Sequence, residues 1–264
     1  MENRVMGIPQ TKDILENIHN LHKKPDHWGW VGDLYLGGND CGIAMRLLDG
    51  QEYEPESRKL WKSFSKNAEL VVDVGAHTGI YSIDALKAGA KNVLSIEPYM
   101  MNYARLVMNI RHAGFPAYGC AFCAVGDENK VEDFFVNTAN HYCSAGGGMD
   151  SKKENSMRFL VNSYRLDNMI EKKYHHLING IKIDTECHGV KVLKGMPEIL
   201  SHRPDLILEC IEQGLGDALR PFGYNFYTII ETGSDAGIHR VDDLIPDKHF
   251  TFNSPNRYAT IKEL

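Results

Sequence analysis

Long hydrophobic runs are absent from this sequence of 264 residues, and that absence limits the class of protein it can belong to. No apolar stretch approaches the roughly 20 residues that a membrane-spanning helix needs. The N-terminal segment MENRVMGIPQTKDILEN also lacks the apolar core of a secretory signal peptide. We therefore expect a protein that does not insert into membranes and that works in the cytoplasm.

Dense clusters of basic residues are absent as well. The formal net charge is −6 at pH 7, and the basic runs HKKP and KKEN are too short to form a stripe of positive charge. Proteins that bind long nucleic acids neutralise the phosphates with such a stripe. The charge distribution therefore argues against long nucleic acid as a partner, although it leaves room for a local basic groove.

Cysteine is sparse, since the chain contains only six. That number in a chain of this length does not indicate a disulfide framework. Cys120 and Cys123 form a CxxC motif in an extended run, where an odd offset sends the two side chains to opposite faces. The sequence has no second CxxC motif to complete a zinc site. We therefore predict that the cysteines are structural or incidental, and we assign no metal ligands.

From residue 70 onward the chain alternates short apolar runs with helical patterns. Strands are predicted at LVVDV, NVLSIE, YGCAFCAV, VEDFFV, LINGIKID, DLILECIE, NFYTII and NRYATIKE. Helices are predicted between them, as at IYSIDALKAGA, where apolar residues recur at helical spacing. This alternation is typical of an α/β fold with a mostly parallel sheet and helices on both faces.

Two regions fall outside the alternation. Residues 1–69 form an N-terminal extension, with an amphipathic helix and then two strand-like runs around the turn GGND in DLYLGGNDCGIAMRLL. Residues 137–163 are polar and rich in glycine, which predicts a long loop within the main domain of residues 70–264. A loop of that length in a compact domain is usually a functional lid or a disordered excursion.

The segment VVDVGAHTG places Asp73, Gly75 and Gly79 at the end of one predicted strand and the start of a helix. Ligands of such sheets bind at the carboxyl ends of the strands, where glycines allow a close approach. The spacing G-x-x-x-G differs from the G-x-G-x-x-G of dinucleotide loops and from a P-loop. Asp73 would repel a phosphate but can pair with an ammonium group, such as that of S-adenosylmethionine. Glu97, at the end of the next strand, can accept hydrogen bonds from two ribose hydroxyls.

These motifs and their order resemble one known family. LVVDVGAHTGIYSIDALKAGAKNVLSIEP, followed by RLDNMIE, IKIDTECHGVKVLKGMPEIL and PDLILE, is similar to the FkbM-type S-adenosylmethionine-dependent methyltransferases. The resemblance covers over half of the chain, from EYEPES to LILE. It implies a Rossmann-like class I methyltransferase fold with a mostly parallel seven-stranded sheet. It also implies O-methylation of hydroxyls on sugars, glycans and small natural products.

The resemblance further implies roles for single residues. The cofactor loop would comprise Asp73, Gly75, Ala76, His77, Thr78 and Gly79. Glu97 would hold the ribose, Glu54 matches an N-terminal acid near the cofactor, and the turn at Ala124 and Val125 would lie beside the adenine.

One segment departs from the family. The family usually has K-I-D-x-E-G-x-E after its fourth strand, whereas this chain has KIDTECHG. Cys187 stands where glycine is usual, and Gly189 stands where a second acid is usual. Lysine, isoleucine, aspartate and the first glutamate are intact. The two departures keep open the alternative of a catalytically silent methyltransferase-fold module that binds cofactor or a partner protein.

The same segment offers candidates for removing the proton of an acceptor hydroxyl. Lys182, Asp184 and Glu186 share one face of an extended chain, at a strand end that opens into the cofactor crevice. In one interpretation Asp184 or Glu186 is the base and Lys182 tunes it by charge. In a second, Asp184, Glu186 and Glu209 hold a divalent cation. In a third, the charges form a structural network. His188 is a rival base because histidine titrates near neutral pH.

The leading hypothesis is therefore an S-adenosylmethionine-dependent O-methyltransferase that acts on a hydroxyl of a small molecule or glycan. The second hypothesis is RNA ribose 2′-O-methylation, which also needs lysine and carboxylates around a hydroxyl, but the acidic net charge argues against it. The glycine spacing argues against a nicotinamide dehydrogenase. The sequence predicts neither the identity of the acceptor nor the oligomeric state.

Overall fold

The computed structural model describes residues 28–37, 42–137, 147–149, 156–210, 212–246 and 253–264. The amphipathic helix predicted near the N-terminus lies outside these residues, as do Cys41 and Cys143. No helix within the described ranges combines the length and the apolar character needed to cross a membrane.

The strands of the described residues fall into three sheets. In chain order they are β1 (Trp28–Val31), β2 (Leu34–Gly37), β3 (Leu70–Val74), β4 (Val93–Ile96), β5 (Cys120–Ala121), β6 (Ala124–Val125), β7 (Lys130–Asn137), β8 (Ser156–Tyr164), β9 (Ile178–Ile183), β10 (Asp205–Glu209), β11 (Asn225–Ile230), β12 (Gly237–Val241) and β13 (Asn256–Thr260). The central sheet has the order β12-β11-β13-β10-β9-β3-β4-β5. Neighbours from β10 to β5 are parallel, and β13 runs antiparallel to both β10 and β11.

The helices of the described residues pack on both faces of the central sheet. They are α1 (Gly42–Leu48), α2 (Pro55–Ser65), α3 (Ile80–Ala88), α4 (Met100–His112), α5 (Leu166–Met169), α6 (Gly189–Lys194), α7 (Pro197–Leu200) and α8 (Leu215–Leu219), with 3₁₀ turns at Lys172–Leu177 and Arg220–Phe222. Val72 faces an apolar cluster with α5 to α8, whereas its neighbour Val71 faces a second cluster with α2 to α4. Successive strand residues point to opposite faces, so one buried strand serves both layers. The predicted α/β, Rossmann-like fold is confirmed.

The central sheet contains eight described strands rather than the seven predicted. The additional strand is β12, which pairs antiparallel with β11 from Val241 opposite Phe226 to Gly237 opposite Ile230. Its sequence GIHRV forms no apolar run, because its side chains are half-exposed or exposed at the edge of the sheet. Hydrophobic patterning alone therefore could not mark it as a strand.

The N-terminal extension contains one strand pair, but its boundaries differ from those predicted. β1 pairs antiparallel with β2. The predicted second strand-like run of DLYLGGNDCGIAMRLL is instead helix α1, which turns Ala44 and Leu47 into the core at a spacing of three residues. The amide of Asn109 on α4 connects this extension to the glycine loop: Oδ1 accepts from the backbone N–H of Tyr35 at 2.8 Å, and Nδ2 donates to the Thr78 carbonyl at 2.8 Å.

A small third sheet, in the order β6-β8-β7, lies beside the central one. The predicted strand YGCAFCAV is split between β5 in the central sheet and β6 in the small sheet. The prediction of a loop over residues 137–163 is wrong for its last part, because residues 156–163 belong to β8. This strand pairs antiparallel with the whole of β7. Residues 138–146 and 150–155 of that loop lie outside the described residues. The polar, glycine-rich stretch before β8 masks its strand signal in the sequence.

The CxxC motif bridges the split between the two sheets. Cys120 is half-buried on β5 and Cys123 is buried just before β6, and neither forms a disulfide. Burial raises the pKa of each thiol to about 11. Both cysteines are therefore protonated near neutral pH, as expected for structural residues.

Candidate active site

A cavity of about 580 Å³ lies at the carboxyl ends of β3, β4, β9 and β10. This volume is within the range of small-molecule and cofactor sites. All four predicted catalytic residues line the cavity, as do the predicted cofactor residues other than Thr78 and Gly79. Tyr53, Tyr81 and Glu231 also line it, although no sequence motif marks them.

Asp73 lies in the cavity wall at the end of β3. Its Oδ2 accepts a hydrogen bond of 2.6 Å from the Ser82 hydroxyl on α3. Burial raises the pKa of Asp73 to about 6, although the hydrogen bond from Ser82 opposes the shift. The carboxylate is therefore ionised at neutral pH but is close enough to titration for a bound cation to stabilise its charge.

Glycine is needed at position 75 because the chain at the end of β9 passes very close to it. Its φ is +80°, and a Cβ atom there would lie 1.7 Å from the backbone carbonyl oxygen of Asp184. The N–H of Asp184 donates to the carbonyl of Val74 at 2.9 Å, which holds the two chains at this distance. The glycine thus allows the end of β9 to approach the end of β3.

Thr78 and Gly79 do not line the cavity, in contrast to their predicted place in the cofactor loop. The Thr78 carbonyl accepts from Asn109, and its side chain is buried. Gly79 has a φ of +96°, and a Cβ atom there would lie 2.9 Å from Leu106 on α4. Both residues therefore shape the start of α3 and its contact with α4.

Glu97 lies at the end of β4 and is buried. Oε2 accepts from the backbone N–H of His77 and Oε1 accepts from that of Tyr99, each at 2.8 Å. The Asn102 side chain is a third partner. Burial raises the pKa of Glu97, although these partners and the nearby His77 oppose the shift. An ionised carboxylate has about four acceptor positions, so one is left for a hydroxyl in the cavity.

Glu54 enters the cavity wall from the N-terminal cap of α2. Its backbone adopts a left-handed conformation with a φ of 46°, and its carboxylate accepts from the Tyr81 hydroxyl at 2.5 Å. Burial and the charge of Glu54 raise the pKa of both Tyr53 and Tyr81. Glu231 holds the same helix end, because its Oε2 accepts from the backbone N–H groups of Glu56 and Ser57. A carboxylate at a helix N-terminus stabilises the free N–H groups there.

Lys182 and Asp184 form an ion pair at the end of β9. Nζ of Lys182 donates to Oδ2 of Asp184 at 2.9 Å and lies 5.0 Å from the centre of the Tyr81 ring. Burial lowers the pKa of Lys182, but the charges of Asp184 and Glu54 outweigh that effect and the pKa is raised. Burial raises the pKa of Asp184, but Lys182 outweighs it and the pKa is lowered. Both groups are therefore charged at neutral pH.

Glu209, at the end of β10, is hydrogen-bonded to Asp184. Burial and the charges of Asp184 and Glu186 raise the pKa of Glu209 well above its usual value. In this pair of acids, Glu209 is therefore the one that holds a proton more readily. Its Oε2 accepts from the backbone N–H of Glu186 at 3.3 Å, which connects it to the turn after β9.

The structure shows the surroundings of Cys187 and Gly189, the two residues that depart from the family pattern. Cys187 has a φ of +68° and Glu186 a φ of +49°, so the turn keeps a left-handed conformation that glycine would adopt without strain. Gly189 leaves space that the carboxylate of Glu212 fills: Oε1 of Glu212 lies 3.1 Å from the position of an added Cβ and accepts from the Val190 N–H at 3.1 Å. The turn after β9 therefore holds Cys187 in a left-handed conformation, and another acid, Glu212, lies beside Gly189.

His188 occupies the N-cap position of α6 and lines the cavity, although its side chain is buried. Its Nε2 lies 4.0 Å from Oε2 of Glu132 on β7. No sequence motif marks Glu132, because the contact joins elements more than 50 residues apart.

The divalent-cation interpretation of Asp184, Glu186 and Glu209 finds no support. Within the described ranges, no group of three or more histidine, cysteine, aspartate or glutamate side chains is arranged to hold a metal ion. Asp184 already has a cationic partner in Lys182.

The chain is similar to a known protein family and to several solved structures. A sequence model described as the Methyltransferase FkbM domain matches residues 73–231, more than half of the chain. No curated protein matches the chain. The chain is similar to the solved structure of a precorrin-6y C5,15-methyltransferase from Geobacter metallireducens GS-15, with 9% identity, a TM-score of 0.41 and coverage of 78% of this chain and 88% of that one.

Two further solved structures are similar to a comparable degree. One is an O-methyltransferase from Bacillus cereus in complex with SAH, with 12% identity, a TM-score of 0.40 and coverage of 98% of this chain and 94% of that one. The other is an rRNA methylase from Streptococcus thermophilus, with 12% identity, a TM-score of 0.40 and coverage of 77% and 91%.

Proposed function

The chain belongs to the FkbM methyltransferase family, and from that premise we propose that it transfers the methyl group of S-adenosylmethionine to a hydroxyl of a sugar, a glycan or a small natural product. The observation that carries the proposal is the convergence of Asp73, Glu97 and the Lys182–Asp184 pair on one cavity at neighbouring strand ends. The cytoplasmic location predicted from the sequence is part of the proposal.

The residues of the cavity fit S-adenosylmethionine. Asp73 and Glu54 are carboxylates in its wall, and Asp73, at the end of β3, can pair with the positive ammonium group. Glu97 retains an acceptor position for a ribose hydroxyl. Ala124 and Val125 contribute apolar surface of the kind that an adenine ring packs against. When bound, the cofactor supplies an electrophilic methyl group, and the chain supplies orientation.

Asp184 suits the role of orienting the acceptor hydroxyl. It is ionised and only partly buried, so its carboxylate can accept a hydrogen bond from a hydroxyl in the cavity. Its lowered pKa makes it a weak base, because a good general base has a pKa near the working pH. We therefore assign to Asp184 the placement of the hydroxyl and to Lys182 the placement of Asp184. Proton removal is left to another group of the cavity.

The charge of the cavity favours an acceptor without phosphate groups. Its lining contains the acidic residues Glu52, Glu54, Asp73, Glu97, Asp184, Glu186, Glu209 and Glu231. Among the described lining residues only Arg46 and Lys182 bring a permanent positive charge. An RNA acceptor would bring phosphates toward this surface, so we place RNA ribose methylation second. The silent-module alternative is weakened because Lys182, Asp184 and Glu186 all line the cavity.

Calorimetric titration tests the cofactor part of the proposal. We expect S-adenosylmethionine to bind and NAD not to bind, and binding of NAD alone would contradict the proposal. Asp73→Ala should abolish cofactor binding. Asp184→Ala should retain binding because the residue is assigned to the acceptor.

Methyl transfer to a panel of acceptors tests the reaction. Labelled S-adenosylmethionine is incubated with monosaccharides, oligosaccharides, small polyhydroxylated molecules and RNA. We expect label in a sugar or small hydroxylated molecule, with none after Asp184→Ala and no loss on addition of a chelator. Label in RNA alone would favour the second hypothesis. Cofactor binding without labelling of any acceptor would favour the silent module.

A further inference from the structure

A buried polar cluster lies behind the cavity, where His188 meets the small sheet. It consists of His188, Glu132 on β7 and Ser163 on β8. His188 lines the cavity, and its Nε2 lies 4.0 Å from Oε2 of Glu132. That separation exceeds a direct hydrogen bond but suits one bridging water.

Ser163 and Glu132 each present a buried oxygen to this space. Ser163 is fully buried, and within the described part of the chain its Oγ has no hydrogen-bond partner. The same holds for Oε2 of Glu132, whereas Oε1 pairs with Nζ of Lys130 at 2.6 Å. Buried oxygens without a partner carry a substantial desolvation cost unless a water or ligand satisfies them.

Gly126 leaves the space beside these atoms open. A Cβ atom there would lie 2.8 Å from Oγ of Ser163, 3.3 Å from Nε2 of His188 and 3.9 Å from Oε2 of Glu132. Three polar atoms from separate elements therefore lie within 4 Å of one point beside Gly126. A buried water in proteins typically makes about three hydrogen bonds, which is the number of partners offered here.

We propose that one water molecule bridges His188, Glu132 and Ser163, and that Glu132 and Ser163 are thereby positioning residues for His188 as the general base. The water accepts from Nε2–H of His188 and donates to Glu132. This fixes the neutral tautomer that carries its proton on Nε2 and leaves the lone pair on Nδ1. The inference rests on the proposed function, because it names the base that Asp184 is too acidic to be.

The proposed reaction moves one proton from the acceptor hydroxyl to His188 and one methyl group to the acceptor oxygen. The acceptor O–H proton passes to Nδ1 of His188 while its electron pair stays on oxygen. That oxygen forms the new bond to the methyl carbon, and the bond from this carbon to sulfur breaks. The resulting imidazolium is stabilised by the negative charge of Glu132 through the water, and it later returns the proton to solvent.

Nitrogen-15 NMR of the histidine ring tests the inference without an acceptor. The probe is the full-length protein saturated with S-adenosylhomocysteine, and the two ring-nitrogen shifts of His188 report its tautomer. We expect the Nε2–H tautomer in the wild type and in Glu132→Gln, whose amide oxygen still accepts. Glu132→Leu keeps a similar side-chain volume but removes the hydrogen-bond acceptor, and Ser163→Ala removes one hydrogen-bond partner of the water. Both should produce a mixture of tautomers.

A crystal structure of the same complex supplies the second measurement. We expect an ordered water within hydrogen-bond distance of all three side chains in the wild type and its loss in Glu132→Leu. A wild-type Nδ1–H tautomer, or shifts unchanged by Glu132→Leu, would overturn the inference. Calorimetry with S-adenosylhomocysteine on each variant separates the outcomes: retained binding with a wrong tautomer refutes this inference alone, whereas no binding by the wild type refutes the proposed function.

Discussion

The side-chain nitrogen of Lys182 lies 2.9 Å from Oδ2 of Asp184, and this ion pair connects the interior of the central sheet to the cavity. The Lys182 side chain is 1% exposed and that of Asp184 is 28% exposed. A charge as buried as that of Lys182 is tolerated only with a close partner. Each group therefore holds the other in place, and the Asp184 carboxylate is presented to the cavity in a fixed position.

Lys182→Met should destabilise the protein by about 3–5 kcal/mol, because it leaves the buried side of Asp184 without its counter-charge. The free energy of unfolding is measured by urea denaturation. The double variant Lys182→Met with Asp184→Asn is the control, since it removes both charges. We expect it to be more stable than Lys182→Met alone. Equal stability of the two variants would show that the stranded charge is not the cause.

Cofactor affinity should depend on pH through Asp73. Burial raises its pKa to about 6, and only the ionised carboxylate can pair with an ammonium group. As the pH falls below about 6 the group must lose a proton to bind, so Kd should rise by up to about tenfold per pH unit. Calorimetry at pH 5 to 8, in buffers of different ionisation enthalpy, measures the affinity and the proton release.

Asp73→Asn is the control for this pH dependence. It should bind S-adenosylmethionine weakly at every pH, with a flatter profile below about pH 6. The raised pKa of Glu97 contributes in the same direction, so a residual slope is expected. A steep slope identical to that of the wild type would assign the titration to another group.

Gly75→Ala should be far more destabilising than an ordinary change at a glycine with positive φ. The new Cβ would meet the Asp184 carbonyl oxygen at 1.7 Å, and that atom belongs to the backbone of a buried strand end. Gly114→Ala is a matched control, because Gly114 has a φ of +89° but nothing within 4 Å of the added atom. Backbone strain alone should cost Gly114→Ala about 1–2 kcal/mol.

We expect Gly75→Ala to lose more than about 4 kcal/mol of unfolding free energy or to fail to fold, since a close backbone contact cannot relax. Urea denaturation of both variants makes the comparison. Similar losses in the two variants would mean that the approach of β9 to β3 is not tightly constrained.

The sequence predicts the parts of the fold that depend on local pattern. LVVDV and VLSI are predominantly apolar because these inner strands are buried on both faces, and their ends locate Asp73 and Glu97. β8 escapes prediction because its outer face is exposed and its neighbours are polar. The division of YGCAFCAV into two strands could not be predicted, because it depends on which sheet each half joins.

The candidate site likewise contains contacts that the local sequence pattern predicts and contacts that only the tertiary fold creates. Lys182 and Asp184 are two residues apart on one strand, so their proximity follows from strand geometry. Tyr81 meets Glu54 across 27 positions, and Glu209 meets Asp184 only because β10 is placed beside β9. The raised pKa of Glu209 is a product of that tertiary contact. No pattern within a single segment contains this information.

Cys187→Gly should stabilise the protein, because Cys187 occupies a left-handed backbone conformation at the position where the family usually has glycine. Such a conformation costs a residue with a Cβ about 1–2 kcal/mol, and the side chain is exposed, so its removal sacrifices little packing. The greater flexibility of glycine in the unfolded chain offsets part of the gain, so we expect an increase of up to about 1 kcal/mol in the free energy of unfolding.

Cys187→Ala separates backbone strain from the loss of the thiol. Alanine keeps the Cβ and the strain, so this variant should match the wild type in urea denaturation while Cys187→Gly exceeds it. Equal stabilisation by both variants would attribute the effect to the sulfur atom. The turn lies beside Glu186 and Asp184, so strain released there also loosens the cavity wall. If Cys187→Gly folds more stably but binds S-adenosylmethionine less tightly in calorimetry, the strained turn helps to preorganise the site.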